Sequence, residues 1–403
     1  MELFQNLLST PYEFLSSYGL PFVLVLSVLV FVHEWGHFIV ARMCGVKVDV
    51  FSIGFGKEIL GWTAKNGTRW KFSLIPLGGY VQMFGDSDPA SSRHDGTVEG
   101  EEGEEAREYT DAEKSVAFYS QPVWKRSLIV VAGPAINFIF AIVLLTGLYT
   151  MHGQPYTPPV AASIIEGSPA EIAGIKPDDK IVSINGETVT SFQDIVQTVA
   201  VNLNQPLEIE LVHYKGDRVW EDKIHTVMVT PTLVEEADRF GFKHSRGRMG
   251  IYSPPGESET LDHSVWSAFL NANKETAKLT LDTLKAIGQM VVGVRSTDEL
   301  GGILRIGAYA GEFAQAGFIS MVTFAALLSI NLGLINLFPI PLLDGGHLAF
   351  YAYEVVRGKP IGSNAQEYVL RFGFVLVMGL MLFATWNDLV QLKVVDYVVD
   401  LVS

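Results

Sequence analysis

The chain has 403 residues, of which 48% are hydrophobic and only 18% are charged. This composition favours a membrane protein with several spans and a soluble part. The formal net charge of −15 argues against nucleic acid as a partner, because binding phosphates requires a concentrated basic surface. The single cysteine, Cys44, excludes an internal disulfide and a metal site built from several cysteines.

Four apolar stretches are candidates for helices that cross a bilayer. They cover residues 20–41, 127–149, 317–338 and 368–389. The last stretch has the shortest apolar centre, Phe372–Trp386, and Arg371 beside it can extend its charged head towards water. The sequence therefore predicts about four transmembrane helices.

The distribution of lysine and arginine predicts the orientation of these spans. Basic residues are concentrated between the first and second spans and between the third and fourth, so both connections are predicted to be cytoplasmic. Both termini are then extracytoplasmic, and the first span is a permanent anchor because no cleavage site follows it. The acidic tract Asp95–Glu113 is predicted to be a solvated, disordered part of a cytoplasmic loop over residues 86–120, with regulatory docking as the alternative.

The first span contains the polar sequence HEWGH, His33–His37. His33 and His37 are one helical turn apart, so their imidazoles can converge on one Zn²⁺. Glu34 lies beside the first histidine and can reach a metal-bound water as a general base. The alternative is that the histidines only make local hydrogen bonds, but three ionisable residues inside a span are costly without a function.

A catalytic zinc site with two histidines needs a third protein ligand. The second polar cluster in an apolar region is NLGLINLFPIPLLDGG, Asn331–Gly346, where Pro339 and Pro341 break the helix. Asp344 follows this break and is the best candidate for an oxygen ligand, with two glycines after it that permit close approach. The alternative interpretation of Asp344 is a helix N-cap at the membrane surface.

A soluble segment separates the second span from the third. In EGSPAEIAGIKPDDKIVSINGE, Ser168 is a helix N-cap and Asn185–Gly186 is a tight turn between strands. A second capping serine, Ser191, begins a helix in SFQDIVQTVAVN, and LEIELVH and HTVMVT alternate as half-buried strands. This order of strands and helices predicts a small α+β domain.

The same segment, residues 158–252, resembles a PDZ domain of the bacterial, protease-associated kind. The resemblance implies a groove that accepts the end of an extended peptide between the strand near Val160–Ile165 and the helix Phe192–Val201. Asp178-Asp179 departs from the Gly-Asp that is usual in these domains. The alternative is a soluble domain that only packs against the membrane part.

Four motifs together resemble the site-2 protease family of intramembrane zinc metalloproteases. They are HEWGH, NLFPIPLLDGG, GPAINFIFAI (Gly133–Ile142) and SLIPLGGYVQM (Ser73–Met83). The last is similar to the membrane-associated β-hairpin of the bacterial members. The match covers nearly the whole chain in the right order, with one PDZ domain. One departure is GGILRIG, Gly301–Gly307, where relatives often have a stretch with proline.

The resemblance implies a polytopic α-helical membrane protein with a membrane-associated β-hairpin and an inserted extracytoplasmic PDZ domain. Residues 1–157 then form the N-terminal membrane part with the hairpin at about 48–85. Residues 253–403 form the C-terminal membrane part, with outer helices at about 262–297. The implied location is the cytoplasmic (inner) membrane of a bacterium.

The implied activity is hydrolysis of peptide bonds within or near the transmembrane helices of single-span substrates, such as anti-sigma factors or remnant signal peptides. Zn²⁺ is the implied cofactor, with His33, His37 and Asp344 as its ligands and Glu34 as the catalytic base. Further residues are implied to bind the substrate backbone, and they are Asn336, Asn331, Ser73, Leu74, Ile75, Gly78 and Gly79. The implied partners are these substrates, the lipid bilayer and peptide C-termini at the PDZ groove.

Two other functions are consistent with parts of the sequence. A zinc-binding transporter or channel would explain ligands inside the membrane, but it requires neither Glu34 nor a peptide-binding outer domain. Transporters also tend to contain internal repeats, and none is recognisable in this sequence. A membrane-anchored PDZ scaffold would leave both polar clusters without a purpose.

Overall fold

The computed structural model describes Tyr12 and residues 15–85, 97–98, 107–216, 219–254 and 259–394. Most of the acidic tract lies outside the described residues, as do most of the first 14 residues and the last nine. The described chain forms two compact units. The first, which we call the larger unit, contains residues 3–145 and Gly302–Trp386. The second, the smaller unit, contains Thr146–Gly301 and the residues from Asn387 onward.

Ten α-helices and seventeen strands are present in the described residues. The helices are α1 (Leu20–Met43), α2 (Asp111–Val116), α3 (Val123–His152), α4 (Pro169–Ile172), α5 (Phe192–Ala200), α6 (Val265–Val291), α7 (Ile303–Gln315), α8 (Phe318–Asn336), α9 (Asp344–Arg357) and α10 (Ser363–Gln391). The longer strands are β1 (Val48–Thr63) and β2 (Arg69–Met83), and a short pair, β3 (Thr97–Val98) and β4 (Arg107–Glu108), follows. The remaining strands are β5 (Gln154–Tyr156), β6 (Val160–Ala161), β7 (Ser163–Ile164), β8 (Asp179–Ile184), β9 (Glu187–Thr188), β10 (Leu207–Val212), β11 (Tyr214–Gly216), β12 (Val219–Trp220), β13 (His225–Val229), β14 (Thr232–Ala237), β15 (Lys243–Arg248), β16 (Ile251–Tyr252) and β17 (Glu259–Leu261).

The prediction of four spanning helices is confirmed. Within the described residues, four helices are long and apolar enough to cross a membrane, namely α1 with the π-helical turn before it, α3, α8 and most of α10. The fourth is longer than the sequence indicated, since its 28 residues run over Asn364–Gln391. The third is slightly shorter, because α8 ends at Asn336 before the two prolines.

Three helices of the larger unit, α2, α7 and α9, lie outside these spans and were not separately predicted. The departure GGILRIG contains the start of α7, for which Gly302 is the N-cap. At the edge of the acidic tract, α2 begins at a capping box formed by Thr110 and Glu113. The prediction of disorder is therefore wrong for this end of the tract.

Strands β1 and β2 form the predicted hairpin, and both bend. The first half of β1 pairs on one side with Arg69–Phe72 and on the other with Gly79–Met83. The second half of β1 also pairs with the first part of β2. Gly79–Met83 is thus an edge of this small sheet, since the described residues include no strand that pairs with its other side. This edge packs against α1, because a side chain on Gly79 would lie 3.0 Å from Val30 and 3.4 Å from Glu34.

The smaller unit has the elements that the sequence indicated. Strands β13, β10, β8 and β6 form an antiparallel sheet in that order, with β9 paired to β8. Ser168 and Ser191 are both N-caps, and Asn185 and Gly186 have φ values of 52° and 78° in the predicted turn. Asp178 also has a positive φ of 64°, a conformation that glycine adopts more easily than other residues.

The segment of the predicted groove forms two short strands. Val160–Ala161 is the edge strand of the main sheet and pairs with β8, and Ser163–Ile164 pairs with β16 through Ile251 and Tyr252. The peptide groove beside Val160–Ile165 stays a prediction.

Candidate metal centre

Helix α1 brings three polar side chains into the interior of the larger unit. His33 and His37 are buried, with 9% and 8% of their surfaces exposed, and Glu34 is half-buried. The helical spacing places both imidazoles on one side, and their Nε2 atoms lie 3.3 Å apart. The predicted convergence of the two histidines is therefore present.

Helix α3 packs closely against this side of α1 because both helices have a glycine at the crossing. A Cβ on Gly36 would collide with the carbonyl oxygen of Ala132, and a Cβ on Gly133 would collide with His37 Nε2. The carbonyl of Ile129, also on α3, accepts a hydrogen bond of 2.9 Å from His37 Nδ1. This bond places the ring proton on Nδ1 and leaves the lone pair of Nε2 directed into the site.

Asp344 approaches the two histidines from the start of α9. Its carboxylate oxygens lie 3.2 Å from His33 Nε2 and 3.5 Å from His37 Nε2. The N-cap of α9 is Leu343, without a side-chain cap, so Asp344 does not act as the N-cap that the alternative interpretation proposed. The close approach requires Gly345, where a Cβ would collide with the carbonyl oxygen of Phe338.

These three side chains fit a zinc ion. Their ligand atoms all lie within 4.8 Å of one another, which is close enough for one ion to contact all three side chains. In a tetrahedral site with bonds of about 2.0–2.1 Å, ligand atoms are about 3.3 Å apart, close to the separations in this cluster. Asp344 Oδ2 is buried and has no hydrogen bond to a described residue, as expected for an atom that faces a cation.

The electrostatics of α9 agree with an anionic ligand. Burial by itself would raise the pKa of Asp344, but the neighbouring imidazoles of His37 and His33 hold that pKa below its ordinary value. Burial lowers the pKa of His347, which follows one turn later on α9. The direction of this shift favours the ionised carboxylate, which is the protonation state that metal binding requires.

A cavity of about 490 Å³ opens beside the three candidate ligands. Seven residues that the sequence singled out line it, and they are His33, Glu34, His37, Gly78, Gly79, Asn336 and Asp344. Val81, which belongs to the edge strand of the hairpin, lines the same cavity. The general-base candidate, the ligands and a strand edge thus share one space.

Four of the predicted substrate-binding residues do not line this cavity. Asn331 lies on α8 five residues before Asn336, in contact with other groups. The hydroxyl of Ser73 is buried and lies 3.3 Å from the hydroxyl of Ser52, whereas Leu74 and Ile75 are exposed. The bend of the hairpin explains the difference, because it pairs this part of β2 with β1 and leaves Gly79–Met83 as the edge.

Several cavity residues had not been predicted. His347 and Tyr351 line it from α9, and Leu342 lines it from the loop before Asp344. Leu342 has a φ of 84°, a left-handed conformation that is uncommon and costly for a bulky side chain. The recurrence of polar residues at three- and four-residue intervals after Asp344 was the signal that could have identified His347.

Replacing Gly133 by alanine is expected to lower the affinity for zinc by at least about 100-fold, because the new methyl group occupies the position of His37 Nε2. Zinc content and affinity of the purified protein measure this effect. Gly147→Ala on the same helix is the matched control, since a Cβ there meets no atom within 4 Å. Equal zinc affinity in the two variants would contradict the close packing of α3 on the histidines.

Comparisons with known proteins agree with this geometry. The model of peptidase family M50 matches residues 21–380. A protein of Agrobacterium fabrum that is named a zinc metalloprotease, Atu1380, is 41% identical over 381 residues, which are 94% of this chain and 97% of that protein. A similarly named protein of Rhizobium meliloti is 37% identical over 375 residues, 92% and 96% of the two chains. Metalloprotease MmpA of Caulobacter vibrioides is 36% identical over 388 residues, 93% and 96% of the two chains.

The family match extends over both segments that contribute candidate ligands, and the relatives correspond to this chain over almost their entire length. Zinc is the cofactor that the relatives' names give, and the cluster of His33, His37 and Asp344 has the ligand types and spacing for it. The chain therefore belongs to peptidase family M50, the site-2 protease family, and is a membrane-embedded zinc metalloprotease.

Proposed function

We propose that this metalloprotease hydrolyses peptide bonds within or near the transmembrane helix of single-span membrane proteins. One observation carries the proposal: the candidate ligands and Glu34 line a single cavity, and one wall of this cavity is α1, a helix apolar enough to cross a membrane. Polar groups of this kind are costly inside a spanning helix unless they act on a substrate or an ion there. Substrates of the proposed type include anti-sigma factors and remnant signal peptides.

Glu34 is the proposed general base. A bound zinc held by His33, His37 and Asp344 would supply Lewis-acid chemistry, lowering the pKa of water and polarising the substrate carbonyl. Glu34 would remove a proton from the attacking water and later transfer it to the nitrogen of the leaving amine. Its position beside His33 and on the wall of the same cavity supports this role.

The edge strand Gly79–Met83 is the proposed docking site for the substrate backbone. A transmembrane helix satisfies its main-chain groups internally, so the segment to be cut must first unwind and find new hydrogen-bond partners. An unpaired strand edge supplies such partners, and Gly79, Tyr80 and Val81 line the cavity. Asn336 adds an amide from the end of α8 on the same cavity.

The smaller unit is proposed to be an extracytoplasmic PDZ domain that controls access to the site. Its capping serines, tight turn and strand order support the PDZ interpretation. The groove between Val160–Ile165 and α5 is the proposed position for a peptide C-terminus. The domain would act either by binding a newly exposed C-terminus or by excluding substrates with large outer domains.

The protein is proposed to lie in the cytoplasmic (inner) membrane of a bacterium, with both termini and the PDZ domain outside. The concentration of lysine and arginine between α1 and α3 and between α8 and α10 supports this orientation. In this orientation the metal centre lies nearer the cytoplasmic face, because the HEWGH sequence is in the second half of α1.

Cleavage of two model substrates tests the function and separates the two modes of control. The substrates share one transmembrane helix and differ only in whether a folded outer domain is present. We expect the purified full-length protein to cleave only the truncated substrate. Deletion of residues 158–252 should admit the larger substrate if the domain excludes by size, and should reduce turnover of the truncated one if it binds the C-terminus. Zinc content of the deletion variant serves as the control for an intact metal centre, and failure of the full-length protein to cleave either substrate would contradict the proposal.

A further inference from the structure

A fully buried asparagine on α3 lies beside the first histidine. Asn137 has 0% of its surface exposed, and its side-chain amide is 3.1 Å from His33 Nδ1. Its Oδ1 atom is buried and has no hydrogen-bond partner among the described residues. A buried amide oxygen without a hydrogen-bond donor is unfavourable, so a neighbouring N–H group is expected to donate to it.

The position of the ring proton on His33 identifies that donor. His33 Nε2 lies 3.3 Å from His37 Nε2 and 3.2 Å from Asp344 Oδ2, so it is the nitrogen that faces the metal centre. A neutral imidazole whose Nε2 carries the free lone pair has its single proton on Nδ1. Two donors would oppose each other if the amide nitrogen of Asn137 pointed at this N–H. The amide orientation that places Oδ1 on Nδ1 makes a hydrogen bond and removes the unpaired oxygen.

Helix α3 then fixes both imidazoles in the same way. The carbonyl oxygen of Ile129 accepts from His37 Nδ1 at 2.9 Å, and the Asn137 side chain occupies the equivalent place for His33. The backbone of Asn137 is itself held, because Ser329 on α8 donates a hydrogen bond of 2.8 Å to its carbonyl oxygen. Acceptors on the outer nitrogen of a metal-binding histidine orient the ring and increase the basicity of the inner nitrogen.

We propose that Asn137 is a positioning residue of the metal centre, whose amide oxygen accepts the Nδ1 proton of His33 and keeps Nε2 available for zinc. The inference rests on the proposed ligation of zinc by His33. It gives a specific task to the asparagine of the GPAINFIFAI sequence, which the mechanism proposed above does not use. The residue acts through His33 and has no proposed contact with the substrate.

Zinc affinity of the purified full-length protein, measured by competition with a chelator of known affinity, tests this role. Asn137→Leu keeps the branched arrangement of heavy atoms but has no acceptor, and it is expected to weaken zinc binding by about 10- to 100-fold. Asn137→Asp keeps an acceptor and is expected to restore an affinity close to that of the wild type. If Asn137 served only to fill space, Asn137→Asp would bind zinc more weakly than Asn137→Leu, since a buried carboxylate is less favourable than a buried leucine.

Two further variants complete the experiment. Ser329→Ala removes the bond to the backbone of Asn137 but leaves its side-chain acceptor in place, so it should weaken zinc binding less than Asn137→Leu does. His33→Ala should reduce the affinity if the proposed ligation is correct. A strong effect of His33→Ala together with wild-type affinity in Asn137→Leu would overturn the inference and leave the ligation standing. Wild-type affinity in His33→Ala would overturn the ligation on which the inference depends.

Discussion

Replacing Glu34 by glutamine is expected to lower kcat/KM by about 10²- to 10⁴-fold while zinc remains bound. Glutamine has nearly the same shape as glutamate, so the packing of this side chain against Gly79 is preserved. Glutamine cannot accept a proton from water, so the proposed transfer of that proton to the leaving amine is also lost. Cleavage of a single-span substrate and zinc content, measured on the same preparation, check this result.

Glu208→Gln is the matched control, because Glu208 is an exposed residue of β10 in the smaller unit. It should leave both turnover and zinc content unchanged. Turnover preserved in Glu34→Gln would exclude Glu34 as the base. Loss of zinc in that variant would instead indicate that Glu34 is a zinc ligand and not the general base.

Replacing Asp344 by asparagine is expected to reduce the affinity for zinc by about 100-fold or more, and activity should fall with the metal content. The change removes the negative charge and leaves His33 and His37 as the remaining ligands of the cluster. Two imidazoles alone do not complete a catalytic zinc site. Metal analysis after dialysis at defined free zinc measures the effect.

His347→Gln provides the control for this prediction. His347 lies on the same helix and lines the same cavity, but it is outside the cluster formed by His33, His37 and Asp344. Zinc should be retained in His347→Gln and lost in Asp344→Asn. The opposite result would show that His347 supplies the third ligand and that Asp344 has another task.

The metal centre was predictable because local geometry determines most of it. The spacing of His33 and His37 requires a common face once the segment is helical, and the scarcity of ionisable residues in apolar segments singles out Asp344 as their partner. These two predictions depend on residue type and short-range spacing. Asn336, by contrast, was implied only by the resemblance to the site-2 protease family.

Features that depend on the path of the chain were not predictable. The bend in the hairpin leaves the predicted residues Gly78 and Gly79 at the cavity but pairs Ser73–Ile75 with β1, and alternation of residue types does not reveal such a change of register. The left-handed conformation of Leu342 has no signal in its residue type. The pairing of Ser163–Ile164 with β16 follows from the return of the chain about 90 residues later.

The central claim is that zinc-dependent hydrolysis occurs within a transmembrane segment, and the masses of the products test it most directly. Purified protein would be incubated with a single-span substrate lacking its outer domain, before and after removal of zinc and after its return. We predict two complementary fragments whose junction lies within or near the apolar segment, absent without zinc and present again when zinc is restored. Intact substrate in the presence of zinc, or cuts confined to its soluble parts, would contradict this claim.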